Sequence, residues 1–200
     1  MAEDFIQIKI DEASLKEAQH ILRGIPRAFP RVMSRAINRA VDMAATDLKR
    51  RVADQIELPK GEVAKGIGKR KASLANLAGA VDALPHRPAL MKFKGTRQIK
   101  RGVKYRIGTA GFKTILHGFI ATMKSGHRGV FLRATYAKGK FISMVGKPKR
   151  EAIYERFGPS IWKVITNTPG LLTEANQKAA ENLNKQVNDY ISLKLRNWSR

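Results

Sequence analysis

Pro30-Arg31-Val32-Met33-Ser34-Arg35-Ala36-Ile37-Asn38-Arg39-Ala40-Val41-Asp42-Met43-Ala44-Ala45-Thr46-Asp47-Leu48-Lys49-Arg50-Arg51-Val52-Ala53-Asp54-Gln55-Ile56 is the stretch around which the chain organises. Met33, Ile37, Val41, Ala44, Leu48, Val52 and Ile56 recur every three or four residues, so the segment reads as one long amphipathic helix. Pro30 fits the first turn, where its missing N–H costs nothing, and the helix must stop before Pro59. Arg27, Arg31, Arg35 and Arg39 form a second line at four-residue spacing. Arg35 lies about 200° around the axis from Met33, so the arginines face away from the apolar stripe. They are either the wet side of the helix or a stripe on which a neighbouring subunit or phosphates dock.

Upstream, Phe5-Ile6-Gln7-Ile8-Lys9-Ile10 alternates and predicts a half-buried strand. A short helix follows over 11–23, with Leu15, Ala18 and Leu22 on one side and Gly24 and Pro26 as its stop. Downstream, Lys60 to Ala80 suggests one or two short helices joined by Gly66-Ile67-Gly68. Strands are then expected around 81–84, 89–94, 102–108, 119–123, 129–134 and 140–145. Turn chemistry lies between them at Gly95-Thr96-Arg97, Gly108-Thr109-Ala110-Gly111, Ser125-Gly126-His127 and Ala137-Lys138-Gly139. This spacing favours antiparallel pairing over βαβ units.

A last helix is expected after Pro169-Gly170, capped by Thr173, with Ala179, Leu183, Val187, Ile191 and Leu195 along one side. The fold class is therefore α+β: an N-terminal strand and long amphipathic helix, a central, mostly antiparallel sheet, and a C-terminal helix. Residues 1–170 are expected to form a single α+β domain, and 171–200 a helix that packs on it or on a neighbouring subunit.

Charge narrows the function. The 200 residues hold 39 Lys and Arg against 16 Asp and Glu, a net +23. Residues 1–22 run the other way: Glu3, Asp4, Asp11, Glu12 and Glu17 outnumber Lys9 and Lys16. Between Asp82 and Glu151 there is no carboxylate, while nine basic residues lie from Arg87 to Lys113 and eight from Lys124 to Arg150. Such a block attracts phosphates or an acidic partner surface. The residues expected to meet anionic surfaces are Lys100, Arg101, Lys104, Arg106, Arg128, Arg133, Lys147, Lys149 and Arg150. No base-reading motif accompanies them, so any nucleic acid would be held through its phosphates.

Chemistry finds little support. There is no cysteine, which excludes thiolate sites and disulfides and fits a reducing compartment. Gly61 to Ile67 resembles a phosphate loop only superficially, because no Lys-Ser/Thr pair follows Gly66. His20, His86, His117 and His127 stand singly, without metal-ligand spacing, and His117 and His127 read as surface or turn residues. A nuclease would have to draw on Asp82 or Glu151, and neither is marked out. No catalytic residue, metal or cofactor is expected. The acidic N-terminus is unlike a signal peptide, and no apolar run approaches the roughly 20 residues a bilayer requires.

Two segments carry a resemblance. One is the N-terminal strand with the Arg- and Ala-rich run Arg31 to Ala40. The other is Gly118-Phe119-Ile120-Ala121-Thr122-Met123-Lys124-Ser125-Gly126-His127-Arg128-Gly129-Val130-Phe131-Leu132-Arg133, followed by 153–157 and Gly158-Pro159-Ser160-Ile161. This order resembles the prophage minor tail protein Z family, which has a Gly-Val-Phe-x-Arg strand and a later Gly-Pro-Ser turn. The likeness covers roughly residues 5–165. Where relatives carry Leu-Pro-Ile before that turn, this chain has Glu151-Ala152-Ile153.

The resemblance implies a non-catalytic tail-completion or neck protein of the virion, assembled in the host cytoplasm. It implies a ring at the head-proximal end of the tail that helps join tail to head. The implied partners are further copies of itself, the tail terminator, the tail tube, and head-closure or connector proteins. Genomic DNA, met through phosphates, is a further candidate partner. The alternative is a stand-alone basic protein that binds nucleic acid.

Overall fold

The structure is a computed structural model and describes residues 3–8, 12–23, 25, 28–108, 111–133 and 153–198. Strand β1 (Glu3–Ile8) leads to helix α1 (Glu12–Ile21) and then to α2 (Ala28–Ile56), the long helix read from the sequence. All seven residues of its apolar stripe are buried, from Met33 to Ile56. Ala36, Ala40, Ala45 and Ala53 are buried too, because the small side chains let a second helix approach. That partner is α5 (Leu171–Trp198). Arg51 bonds Glu174 and Lys178 bonds Asp47, so the two helices run antiparallel along each other. Ala179, Leu183, Val187 and Ile191 on α5 are buried, whereas Leu195, at the end of the same stripe, is 40% exposed.

The other side of α2 carries a sheet. Strands β2 (Ile67–Arg70) and β3 (Gly79–Ala83) join β1 in the order β1-β3-β2, with both outer strands antiparallel to β3. In β1, Ile6 and Ile8 are buried and Gln7 is exposed, as the alternation requires. Strand β3 is buried at every position. Gly79 sits so close to α2 that a Cβ there would lie 2.7 Å from Val41 Cγ2, which only glycine accommodates. Asn38 on α2 acts as a surrogate strand partner for the chain after β2: its Nδ2 donates to the Ala72 carbonyl (3.0 Å) and its Oδ1 accepts from the Ala72 N–H (2.7 Å).

Two more three-stranded antiparallel sheets follow. One contains β4 (Arg97–Ile99), β5 (Gly102–Tyr105) and β6 (Lys113–Leu116). The other contains β7 (Phe119–Thr122), β8 (Arg128–Arg133) and β9 (Ile153–Glu155). Helix α3 (Lys60–Ala64) lies before β2, and α4 (Ile161–Asn167) before α5. The α+β class holds, with the antiparallel pairing divided among three small sheets.

Several expectations are corrected. Gly66-Ile67-Gly68 does not join two helices; one short helix ends and β2 begins at Ile67. Gly68 pairs with Asp82, and a Cβ on Gly66 would lie 2.5 Å from Ile161 Cγ1. The segment 89–94 is no strand but a 3-10 turn over Leu90–Lys92, with only Ala89 bridged to Phe157. Leu90 and Phe93 are both buried, and residues three apart would point to opposite faces of a strand. Arg97, expected in a turn, opens β4, and β6 was not anticipated. Thr173 is not the cap of α5, because the helix already starts at Leu171, after Gly170 at φ +76°. The expected strand at 140–145 lies outside the described residues.

Phe131 and Ile161 lie in the interior. The Gly158-Pro159-Ser160 corner has a local cause. A Cβ on Gly158 would lie 2.5 Å from the Phe93 ring, Gly158 N–H donates to the Pro88 carbonyl (2.8 Å), and Ser160 caps α4 by accepting from Lys163 N–H (3.2 Å).

Candidate functional site

The sheet β4-β5-β6 gathers four of the cations singled out from the sequence. Lys104 stands between Arg97 and Thr114 in the register, and side-chain alternation puts Gly102, Lys104 and Arg106 on one side. Like charges directly across a sheet repel. Here Phe112 relieves part of that: Lys104 Nζ lies 4.5 Å from its ring centre and Arg106 Cζ 5.4 Å. Phe112 remains 48% exposed and Leu116 59%. The opposite face carries buried Val103 and half-buried Ile115, which join the core.

The rim of this sheet is built from two turns. Lys100 and Arg101 occupy the β4–β5 turn, and the Arg101 carbonyl accepts from His117 N–H in the β6–β7 turn (3.0 Å). Gln98 ties the sheet to its neighbour: its Nε2 donates to the carbonyls of Gly102 (2.9 Å) and Gly118 (3.2 Å), and its Oε1 accepts from Ile120 N–H (2.8 Å). The result is a hydrogen-bonded cationic edge with apolar Leu116 beside it.

The remaining candidates are distributed elsewhere. Arg128 and Arg133 are the exposed ends of β8, in the third sheet, and Arg133 Cζ lies 5.6 Å over the Phe119 ring. Of the four gathered on the β4-β5-β6 sheet, Arg106 is already paired with Glu57. Lys147, Lys149, Arg150 and Arg27 lie outside the described residues. Arg31, Arg35 and Arg39 are exposed on α2, on the side away from the apolar stripe, and none pairs with a carboxylate among the described residues. Sequence reasoning missed Arg97, Lys113 and Phe112. For Arg97 the signal was the alternation Gly102-x-Lys104-x-Arg106, since Arg97 pairs with Lys104; Lys113 pairs with Tyr105 on the other side of the sheet, and Phe112 is reached only through its contacts with Lys104 and Arg106.

Among the described residues most carboxylates, in contrast, are engaged within the chain. Asp42 pairs with Lys69 and Lys71, and the Lys69 hydrogen bond, outweighing desolvation, holds its carboxyl below the usual range. Burial pushes Asp47 up, but hydrogen bonds from Lys178 and Arg51 more than offset it and leave it lowered. Glu62 is lowered chiefly by its bond to Lys65, with Lys92 and His86 adding charge. Asp82, one of the two residues a nuclease would have drawn on, is buried in β3 and held by Arg70 at 3.1 Å; the other, Glu151, lies outside the described residues. His127 bonds Glu155 at 2.8 Å. Among the described residues no group of three or more His, Cys, Asp or Glu side chains could hold a metal, and no helix is long and apolar enough to cross a membrane.

No curated protein and no solved structure matches the chain. The family model of prophage minor tail protein Z (GPZ) matches residues 13–200, so this basic chain belongs to that family of phage minor tail proteins, structural components of the virion's tail.

Proposed function

We propose that the protein is a tail-completion, or neck, subunit: one copy in a ring at the head-proximal end of the tail that helps join tail to head. The observation that carries this reading is the division of charge along the chain. An acidic first 22 residues and a carboxylate-free run between Asp82 and Glu151 let successive copies meet with opposite signs in contact, despite a net +23. Besides its own copies, the partners are the tail terminator, the tail tube, and head-closure or connector proteins. Its role is to fill and bind, with no chemistry of its own. In this reading residues 1–170 form the body, and 171–200 a helix that packs on it or on the neighbouring subunit.

The exposed cations of the β4-β5-β6 face, with Phe112 among them, favour a second reading: a stand-alone protein that holds nucleic acid by its phosphates. Electron microscopy of the purified protein separates the two. The neck reading expects closed rings of one symmetry. Strict monomers that bind duplex DNA at physiological salt would replace it with the second.

A further inference from the structure

Helix α5 carries two lines of residues in its C-terminal half. Asn188, Ile191, Ser192 and Leu195 form one, and Tyr190, Leu193, Lys194 and Asn197 the other, each at helical spacing. An offset of two positions sets them about 200° apart around the axis. The first line shares a groove of about 510 Å³ with Glu17 and Ile21 of α1. The second shares a groove of about 140 Å³ with Arg31 and Arg35 of α2. The two flanks of one helix therefore have opposite electrostatic character, and each has apolar surface left over: Ile21 is 39% exposed, Leu195 40% and Leu193 44%.

The unpaired charges on these flanks have few partners available at home. Asp42, Asp47, Glu57, Glu62, Asp82 and Glu174 are each ion-paired to a cation of the same chain. Glu17 has no such partner among the described residues, and it lies within the net-negative first 22 residues. Asp54, Glu181 and Asp189 are also left without one, but they stand apart from one another along α2 and α5. On α1, Glu17 and Ile21 are four apart and share a face, presenting one acid beside one exposed apolar side chain. Arg31 and Arg35, one turn or about 6 Å apart along α2, lie beside Leu193 and present the opposite charge next to an exposed apolar side chain.

We infer that these two flanks are the two halves of one subunit contact: the Arg31–Arg35–Leu193 flank of one copy docks on the Glu17–Ile21–Leu195 flank of the next. The inference rests on the ring reading: it keeps the acidic first 22 residues as one half of the contact and makes the α2 arginines, rather than the run between Asp82 and Glu151, the other half. Because the halves differ, the contact is heterologous, and it closes into a ring when the rotation per step divides a full turn. Its occupant is a second copy of this chain, chosen on charge complementarity; duplex DNA and an acidic tail protein are the competitors for the arginines.

The test compares four full-length chains by mass photometry and negative-stain microscopy: the native protein, Arg31→Glu with Arg35→Glu, Glu17→Arg, and the chain with all three changes. Circular dichroism checks that each is folded. Each reversal should raise the concentration for half-assembly at least about tenfold, and the triple exchange should bring it back to within about threefold. If the double arginine variant does not fold, Glu17→Arg with Arg35→Glu as its partner carries the same comparison. Rings indifferent to both reversals, or reversals that the exchange does not repair, would overturn this contact while leaving the ring standing. A native protein that forms no ring would remove both. Rings that persist while DNA binding is lost in Arg31→Glu with Arg35→Glu would reassign the arginines to phosphates and overturn the contact.

Discussion

Arg51 on α2 donates a hydrogen bond to Glu174 on α5 across 123 residues of chain, and the same guanidinium bonds Asp47 one turn earlier on its own helix. Lys178 closes the set by reaching Asp47 at 2.8 Å. This four-membered network fixes the register of the two long helices at one end of their interface. At the other end, Arg31 and Arg35 meet no carboxylate among the described residues.

Removing Glu174 should therefore cost register energy at a partly exposed site. Glu174→Ala is expected to lower unfolding stability by about 0.5–1 kcal/mol, and by less in high salt, because exposed ion pairs are weak and screened. Glu181→Ala on the same helix, whose carboxylate among the described residues accepts from Gln177 and pairs with no cation, should stay within about 0.5 kcal/mol. Urea denaturation of the two variants checks the difference.

Acid should weaken the fold through named groups. Asp42, Asp47 and Glu62 are all lowered from their ordinary values of 3.8, 3.8 and 4.5. A carboxyl lowered in the folded state contributes stability that is complete above its unfolded value and lost as pH falls through the lowered native one. Thermal midpoints should thus be flat above the ordinary carboxylate range and decline below it. Asp47→Asn should start lower and decline less steeply; an unchanged acid limb would contradict the network's role.

Packing gives a sharper test. Gly66→Ala places a methyl group 2.5 Å from Ile161 Cγ1, on a fully buried residue, and should cost about 1–3 kcal/mol. Gly61→Ala, in α3 with nothing within 4 Å of the new Cβ, should instead stabilise by about 0.4–1 kcal/mol. Denaturant midpoints moving in opposite directions are the expected result.

The cationic sheet face is testable through salt. Lys100→Glu with Arg101→Glu should weaken duplex DNA binding measured across a salt series, and each lost phosphate contact should reduce the logarithmic salt slope by about 0.9. Phe112→Ala should have a smaller effect, because it removes the ring that holds Lys104 and Arg106 but no charge.

What was legible in the sequence followed from periodicity. The stripe from Met33 to Ile56 could only be a helix with one buried side, and the alternation at Ile6 and Ile8 could only be a strand. The Ala36, Ala40 and Ala45 side was less plain, because alanine burial depends on whether a second helix arrives. Leu90 and Phe93 read as strand residues until their shared burial demanded a turn. Strand β6, Lys113-Thr114-Ile115-Leu116, has no alternation to announce it and exists because β5 offers it an edge. The charge block was visible as a number, but its partition was not. Pairing by Glu57 removes Arg106 from the free cations, and β8 carries Arg128 and Arg133 to another sheet.

The central claim is that this chain is a fixed structural part of the tail's head-proximal end. Immunogold labelling of purified particles, combined with quantitative mass spectrometry of their proteins, tests it most directly. The account predicts a small, constant number of copies per particle, with gold at the junction of head and tail. Particles without the protein, or gold at the distal tip, would contradict it.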